Sequence, residues 1–391
     1  MQCSHVLQLL QSCSTEQSQS SESYDYIEKV SVEPSSSRGA GGLMDNLETL
    51  MASWEAYFSS RVKKRTDVTE LYIKYARDLL EKDIPPIFDL EHLARLMGVT
   101  TFNLAGLIAD PDRHYRKFEL PKRRGGTRVI DVPSPALLEA QKWIKTNILD
   151  GIEVHESAHG FVGKKSVVSN AKVHLGAKCL LKVDIKEFFP SITIRRGISL
   201  FMRLGFPPNV AYYLSSLCFK SGRLPQGAAT SPSISNVIAK RLDARLFGAA
   251  IKHGLKYTRY ADDMVFSGNE MDTEFLSVVN GIVNAEGFHL NSEKTQFVWE
   301  KSKKIITGVS ISSGKLALPR KSVREIKQEA HFILKRGYWA HIEATGNRDP
   351  ILIERLIGRI GFWLQIDPNN KTALKLRGEL SQVIADTYET D

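Results

Sequence analysis

The sequence predicts an α/β (α+β) body, flanked by helical regions on both sides and preceded by a tail. Three observations predict it. From about Tyr115 onward, short apolar runs of strand character alternate with runs whose apolar residues recur every three or four positions. From about Asp45 to Asp110, and again after Leu318, the helical spacing dominates. Residues 11–42 ("SCSTEQSQSSES", "EPSSSRGAGG") are too poor in apolar side chains to offset the entropy of ordering. At 391 residues the chain can bury a sizeable core and hold more than one domain. The expected divisions are a disordered Ser-rich tail at 1–44, a helical region at 45–110, the α/β body at 111–315 and a helical segment at 316–391.

The elements follow in order. "LYIKYARDLLEK" has one apolar helical face. "DLEHLARLMGVTTFNLAGLI" (Asp89–Ile108) reads as a helix-turn-helix, with Asp89 capping the first helix, Gly98 at the turn and Thr100 or Thr101 capping the second. Its second helix carries one Asn and no Arg, a poor set for reading base edges. "RVIDVP", "CLLKVDI", "YTRYADDMVFSG", "TQFVWE" and "KIITGVSIS" are strand-like. "SPALLEAQKWIKTNIL" and "SISNVIAKRLDARLFGAAIKHG" are helix-like, the second ending at Gly254. "RKSVREIKQEAHFILKRG" and "PILIERLIGRIGFWLQIDP" are helices of the final segment.

Charge narrows the partners. Of a net +9, residues 1–45 carry six acids and two bases, net −4, so the remainder carries +13. A body this basic favours a polyanion, nucleic acid ahead of a membrane surface. Cys3, Cys13, Cys179 and Cys218 form no CxxC pair and have no His at zinc spacing, which reads as reduced thiols in a cytoplasmic protein. No apolar run approaches membrane-spanning length.

"YADDMVF" (Tyr260–Phe266) sets two carboxylates side by side within an apolar strand-forming run, where like charges repel. Either this is a polar hairpin tip or it is a cation site, because a dication turns that repulsion into attraction. Asp184, ending the apolar run "CLLKVDI" 78 residues earlier, offers a third carboxylate that a shared sheet would bring alongside. Alone, Asp184 would read as a helix N-cap. Three such acids suit Mg²⁺, which binds through a few carboxylates plus substrate phosphates. Two ions so held serve nucleotidyl transfer to a 3′-hydroxyl.

"LKVDIKEFF", "LPQGAATSPSISN" and "YADD", in this order and spacing, resemble the palm of reverse transcriptases. "NAKVH" (Asn170–His174) and "ITGVSIS" (Ile306–Ser312) resemble two signatures of bacterial retron reverse transcriptases, Ile306 departing conservatively from the usual Val. The resemblance runs from about Asp89 to Asp367. It implies a right-hand polymerase with fingers, palm and helical thumb, 111–315 being fingers and palm and 316–391 an RNA-binding thumb. By the same resemblance, Asp184, Asp262, Asp263 and the Ile185 carbonyl would hold two Mg²⁺, with Mn²⁺ able to substitute. Phe189 would exclude a ribose 2′-hydroxyl, and Gln226 would touch the incoming nucleotide and the template. Arg128, with Lys122 or Arg124, would hold the triphosphate, and Lys294 would sit near the leaving pyrophosphate. Asn170, His174, Thr307 and Gly308 would seat the RNA. Each has a bland alternative: Phe189 in the core, the Lys122–Arg128 stretch as a solvated loop, or Asn170 capping a turn while His174 packs and Gly308 permits a strand bend.

The implied function is RNA-directed DNA synthesis. The enzyme would copy part of its own structured noncoding RNA from an internal guanosine 2′-hydroxyl into branched RNA-linked single-stranded DNA (msDNA). It would use dNTPs and act in antiphage defence with a separate effector protein. After Ser312 only 79 residues follow, which leaves no room for an effector or an RNase H domain beside a thumb. The basic stretches Arg113–Arg128 and Lys315–Gly337, seven Lys and Arg each, suit fingers and thumb gripping nucleic acid. The alternatives are another bacterial reverse transcriptase, of the group II intron or defence type, or a regulator that binds nucleic acid through the Asp89–Ile108 hairpin.

Overall fold

The computed structural model describes residues 66–121, 126–337 and 351–388, together with positions 48, 51, 52, 54–56, 340, 343, 346 and 349. The expected tail, 1–44, lies outside the described residues, as do Lys122 and Arg124. The chain packs as two compact units, residues up to Ile152 with Ile192–Ile234, and Glu153–Ser191 with Ser235 onward. This partition cuts across contiguous divisions at 110 and 315. Each unit is built from two separate stretches of chain.

The first unit begins with the helix Thr66–Leu80 and the expected helical hairpin, Leu90–Leu96 and Thr101–Ala109. The Asp89 and Thr100 side chains accept from the amides of His92 and Asn103, and Gly98 makes the turn at φ +68°. Strands β1 (Tyr115–Pro121) and β2 (Thr127–Pro133) form an antiparallel ribbon that pairs Leu120 with Arg128. The helix Pro135–Ile144 follows and runs on into a π-helical turn at Lys145–Leu149. Two helices not anticipated above, Ile194–Leu204 and Pro208–Cys218, complete this unit. Their punctuation was in the sequence: Gly205 closes the first at φ +124°, and Pro208 opens the second.

The second unit is built on a four-stranded antiparallel sheet of order β4-β5-β3-β6. Its strands are β3 (Cys179–Asp184), β4 (Lys256–Tyr260), β5 (Asp263–Gly268) and β6 (Gln296–Val298). Period-two alternation gives the sheet two apolar faces. Leu180, Val265 and Val298 point to one face and meet Ile306, Ile326, Leu356 and Ile360 in a single core cluster. On the other face Phe266 stacks with Tyr257 and meets Phe275 edge-on, 5.2 Å between ring centres. Each such aliphatic or aromatic residue, fully buried, contributes about 1.5–3 kcal/mol. The helices Arg320–Arg336 and Leu352–Ile366 therefore pack in the same unit as the sheet.

"KIITGVSIS" is not one strand. It folds as a minimal hairpin, β7 (Ile305–Ile306) and β8 (Val309–Ser310), turning at Thr307 (φ +44°) and Gly308 (φ +87°). Positive φ at both central residues is the sign pattern of the turn that matches strand twist.

Candidate active site

The sheet brings the three acids to one end. Asp184 is the last residue of β3 and pairs across the strands with Asp263, the first of β5. β4 and β5 are joined by only two residues, Ala261 and Asp262, because Tyr260 pairs with Asp263. The Ile185 amide donates to the Asp262 carbonyl at 3.0 Å, tying the turn to the end of β3. Two carboxylates adjacent in sequence thus share one strand end with a third from 78 residues upstream.

That end is short of positive charge. Burial, then the neighbouring Asp184 and Asp263, pushes Asp262 up to about 6. Asp263 is raised by burial and by Asp184. Lys294 Nζ donates to Asp184 Oδ2 at 2.8 Å, and Asn291 Nδ2 lies 3.4 Å from Oδ1. Burial works against the Lys294 ammonium, but the Asp184 hydrogen bond and the three carboxylates outweigh it and raise its pKa. Among the described residues no three Asp, Glu, His or Cys side chains gather closely enough to hold an ion as they stand. The donor chemistry nevertheless fits a hard dication: all donors are oxygens, and Lys182 and Lys294 offset their mutual repulsion only in part, since Asp262 and Asp263 remain raised.

Phe188 and Phe189 part company. Phe188 is buried against Phe288, whereas Phe189 is half-buried. Phe189 meets Phe161 at 6.2 Å between ring centres, and Phe161 meets Tyr260 at 6.3 Å. Phe161 escaped sequence reasoning; it is 50% exposed and held at φ +60°. A large apolar side chain left out in solvent in a left-handed conformation suggests a contact surface rather than a core. The one available signal was its place directly after Gly160 in "HGF".

Gln226 and Arg128 belong to the first unit. Gln226 is half-buried, and its carbonyl accepts from the Asp131 amide of β2 at 2.7 Å. Gly227 is obligatory, since a Cβ there would lie 2.4 Å from the Asp131 carbonyl oxygen. The loop is further held by Gln141, fully buried, which donates to Tyr115 Oη and the Leu217 carbonyl and accepts from the Ala229 amide. Lys220 pairs with Asp131 beneath it. Arg128 is exposed on β2, while Lys122 lies outside the described residues.

The residues expected to seat the RNA are mostly enclosed by protein. His174 has no exposed surface, and both ring nitrogens are engaged, by Ser267 Oγ at 2.6 Å and Thr258 Oγ1 at 2.7 Å. Burial, with Lys256 beside it, pushes its pKa down to about 3, so the ring is neutral. No nitrogen is left for RNA. Asn170 is 1% exposed, and its Nδ2 donates to Thr307 Oγ1 at 3.3 Å, joining "NAKVH" to "ITG" across 137 residues. These two motifs form one structural joint, and of Asn170, His174, Thr307 and Gly308 only Gly308, at the hairpin tip, is exposed.

The helix Arg320–Arg336 sets Arg320, Arg324, Lys327 and His331 along one face, beside Phe332, in a shallow recess of about 540 Å³. Its opposite face buries Ile326, Ala330 and Ile333. Basic outside and apolar inside, the helix can follow a phosphate backbone without exposing its core contacts.

Comparison with known proteins gives these features relatives. Residues 120–311 match the family model "Reverse transcriptase (RNA-dependent DNA polymerase)". The retron Mx162 reverse transcriptase of Myxococcus xanthus is 34% identical over 317 residues, covering 71% of this chain and 64% of that protein. The retron Ec86 reverse transcriptase of Escherichia coli is 33% identical over 295 residues, covering 74% of this chain and 88% of that protein. The chain thus spans a little under two thirds of the first relative and most of the second.

Proposed function

The chain belongs to the retron reverse transcriptases, and from that premise we propose that it is an RNA-directed DNA polymerase copying its own noncoding RNA. The observation that carries the proposal is the meeting of Asp184, Asp262 and Asp263 at one strand end, with Lys294 as the nearest compensating charge. Asp184, Asp262, Asp263 and the Ile185 carbonyl would hold two Mg²⁺, which when bound supply the charge that activates the attacking hydroxyl and neutralises the leaving pyrophosphate. Lys294, half-exposed, would then turn from Asp184 to serve the pyrophosphate. Phe189, with Phe161 against it, would close the space beside the sugar C2′. Arg128 and Gln226 would bind triphosphate and base, and Lys122 would assist.

The thumb would be the segment that includes the helix Arg320–Arg336, its basic face tracking an A-form duplex. The product would be msDNA begun from an internal guanosine 2′-hydroxyl, and a separate effector protein would complete an antiphage system in the cytoplasm. No described helix is long and apolar enough to cross a membrane. Extension of oligo(dT) on poly(rA) with Mg²⁺ tests the polymerase reading. The expected outcome is synthesis by the wild type and none by Asp262→Asn, with template binding retained by both. Extension by the variant at wild-type rates would remove the metal assignment.

A further inference from the structure

The YADD turn carries strain, and a buried apparatus holds it there. Ala261 is the first of the two hairpin residues and sits at φ +56°, where glycine is the usual occupant. A Cβ in that region lies too close to the neighbouring carbonyl oxygen, so the conformation is strained. Arg259, two residues earlier on β4, is fully buried. Its Nε and Nη2 take both oxygens of Asp243, at 2.8 and 2.7 Å, and its Nη1 donates to the Ala261 carbonyl at 3.1 Å. The same Nη1 donates to Asn236 Oδ1 at 3.1 Å, and Asn236 Nδ2 reaches the Gly160 carbonyl at 2.8 Å. Gly160 backs the turn from its other side: a Cβ there would lie 2.6 Å from the Ala261 amide nitrogen.

We propose that Arg259 is a positioning residue for catalysis, fixing the strained Ala261 peptide between its guanidinium and Gly160 so that Asp262 and Asp263 are correctly aimed. The inference rests on reading Asp184, Asp262 and Asp263 as the catalytic acids. A role in stability alone fits poorly. A fully buried Arg–Asp pair is commonly no more stabilising than apolar residues of similar volume. The guanidinium charge is matched by Asp243, which leaves geometry as its contribution to the turn. A planar fork with its last N–H aimed at one carbonyl is also something a lysine cannot reproduce.

The test uses full-length Arg259→Lys and Gly160→Ala beside the wild type and Asp262→Asn. Four quantities are read: kcat and dTTP KM on poly(rA)·oligo(dT), template affinity, and the rise in melting temperature on adding Mg²⁺. For Arg259→Lys, kcat should fall at least tenfold while dTTP KM and template Kd stay within twofold, and the Mg²⁺ needed for half the thermal shift should rise several-fold. Gly160→Ala displaces the Ala261 amide without touching the ion pair and should show the same losses in kcat and Mg²⁺ response. Wild-type kcat and Mg²⁺ response in Arg259→Lys would overturn the proposal. So would a parallel fall in kcat, affinity for dTTP and template binding, because Arg259 would then merely support the fold. If Arg259→Lys does not fold, Gly160→Ala decides: a tenfold loss of kcat upholds the proposal and wild-type kcat overturns it. An active Asp262→Asn would instead discard the reading of the acids.

Discussion

At the scale of single residues, environment separates neighbours that the sequence makes look alike. Phe188 and Phe189 are adjacent aromatics; one is core, and the other is half-exposed against Phe161. Phe189→Ala should therefore lower dNTP-over-rNTP discrimination in single-nucleotide incorporation by a large factor, with dNTP turnover only moderately changed. An unaltered ratio would make Phe189 packing. His174 carries a different prediction, because its folded pKa, about 3, lies below the unfolded 6.5. The neutral ring's contribution to stability is fully present above pH 6.5 and is lost progressively as pH falls toward 3, at up to about 1.4 kcal/mol per unit. His174→Gln should be less stable than the wild type at pH 7.5, and the gap should narrow by roughly 2 kcal/mol at pH 5. Denaturant melts at the two pH values check this, and a gap independent of pH would contradict it. The gathering of Asp184, Asp262 and Asp263 at one sheet end could be anticipated from the sequence because Asp184 closes one apolar strand-like run and Asp262 and Asp263 lie within another. For His174 the sequence left packing and RNA contact both open, since a polar residue in a short motif gives no sign of which hydroxyls will surround it.

At the scale of elements, strands and long helices were legible from periodicity, and short or strained pieces were not. The hairpin at Thr307–Gly308 hides in an apolar run because Thr is a strand former and is rarely found at positive φ. The helices Ile194–Leu204 and Pro208–Cys218 are 11 residues each and sit almost end to end, windows too short for helical periodicity to stand out. The helix Arg320–Arg336 was plain, with basic and apolar residues on opposite faces. Replacing Arg320, Arg324 and Lys327 by Gln leaves the buried Ile326, Ala330 and Ile333 untouched. Melting temperature should change little. Template–primer affinity should weaken, and the slope of log K against log salt should shrink by roughly two to three, about one per lost phosphate contact. An unchanged slope would show that this face does not track the backbone.

At the scale of the whole molecule, the basic balance of the body, the palm motifs and the retron relatives agree on one class of chemistry. Composition could point to a polyanionic partner but not to its identity, because charge attracts every nucleic acid alike. The packing into two units, each of two chain segments, was likewise invisible in a linear reading, since contacts such as Asn170 with Thr307 join positions 137 residues apart. The central claim is that this chain makes DNA joined to its own RNA. The measurement that tests it most directly is recovery of the nucleic acid that co-purifies with the full-length protein expressed in its native host. The account predicts single-stranded DNA of defined length whose gel mobility shifts when RNase removes the attached RNA, and its absence with Asp262→Asn. Recovery of no DNA, of DNA indifferent to RNase, or of the same DNA with Asp262→Asn would contradict it.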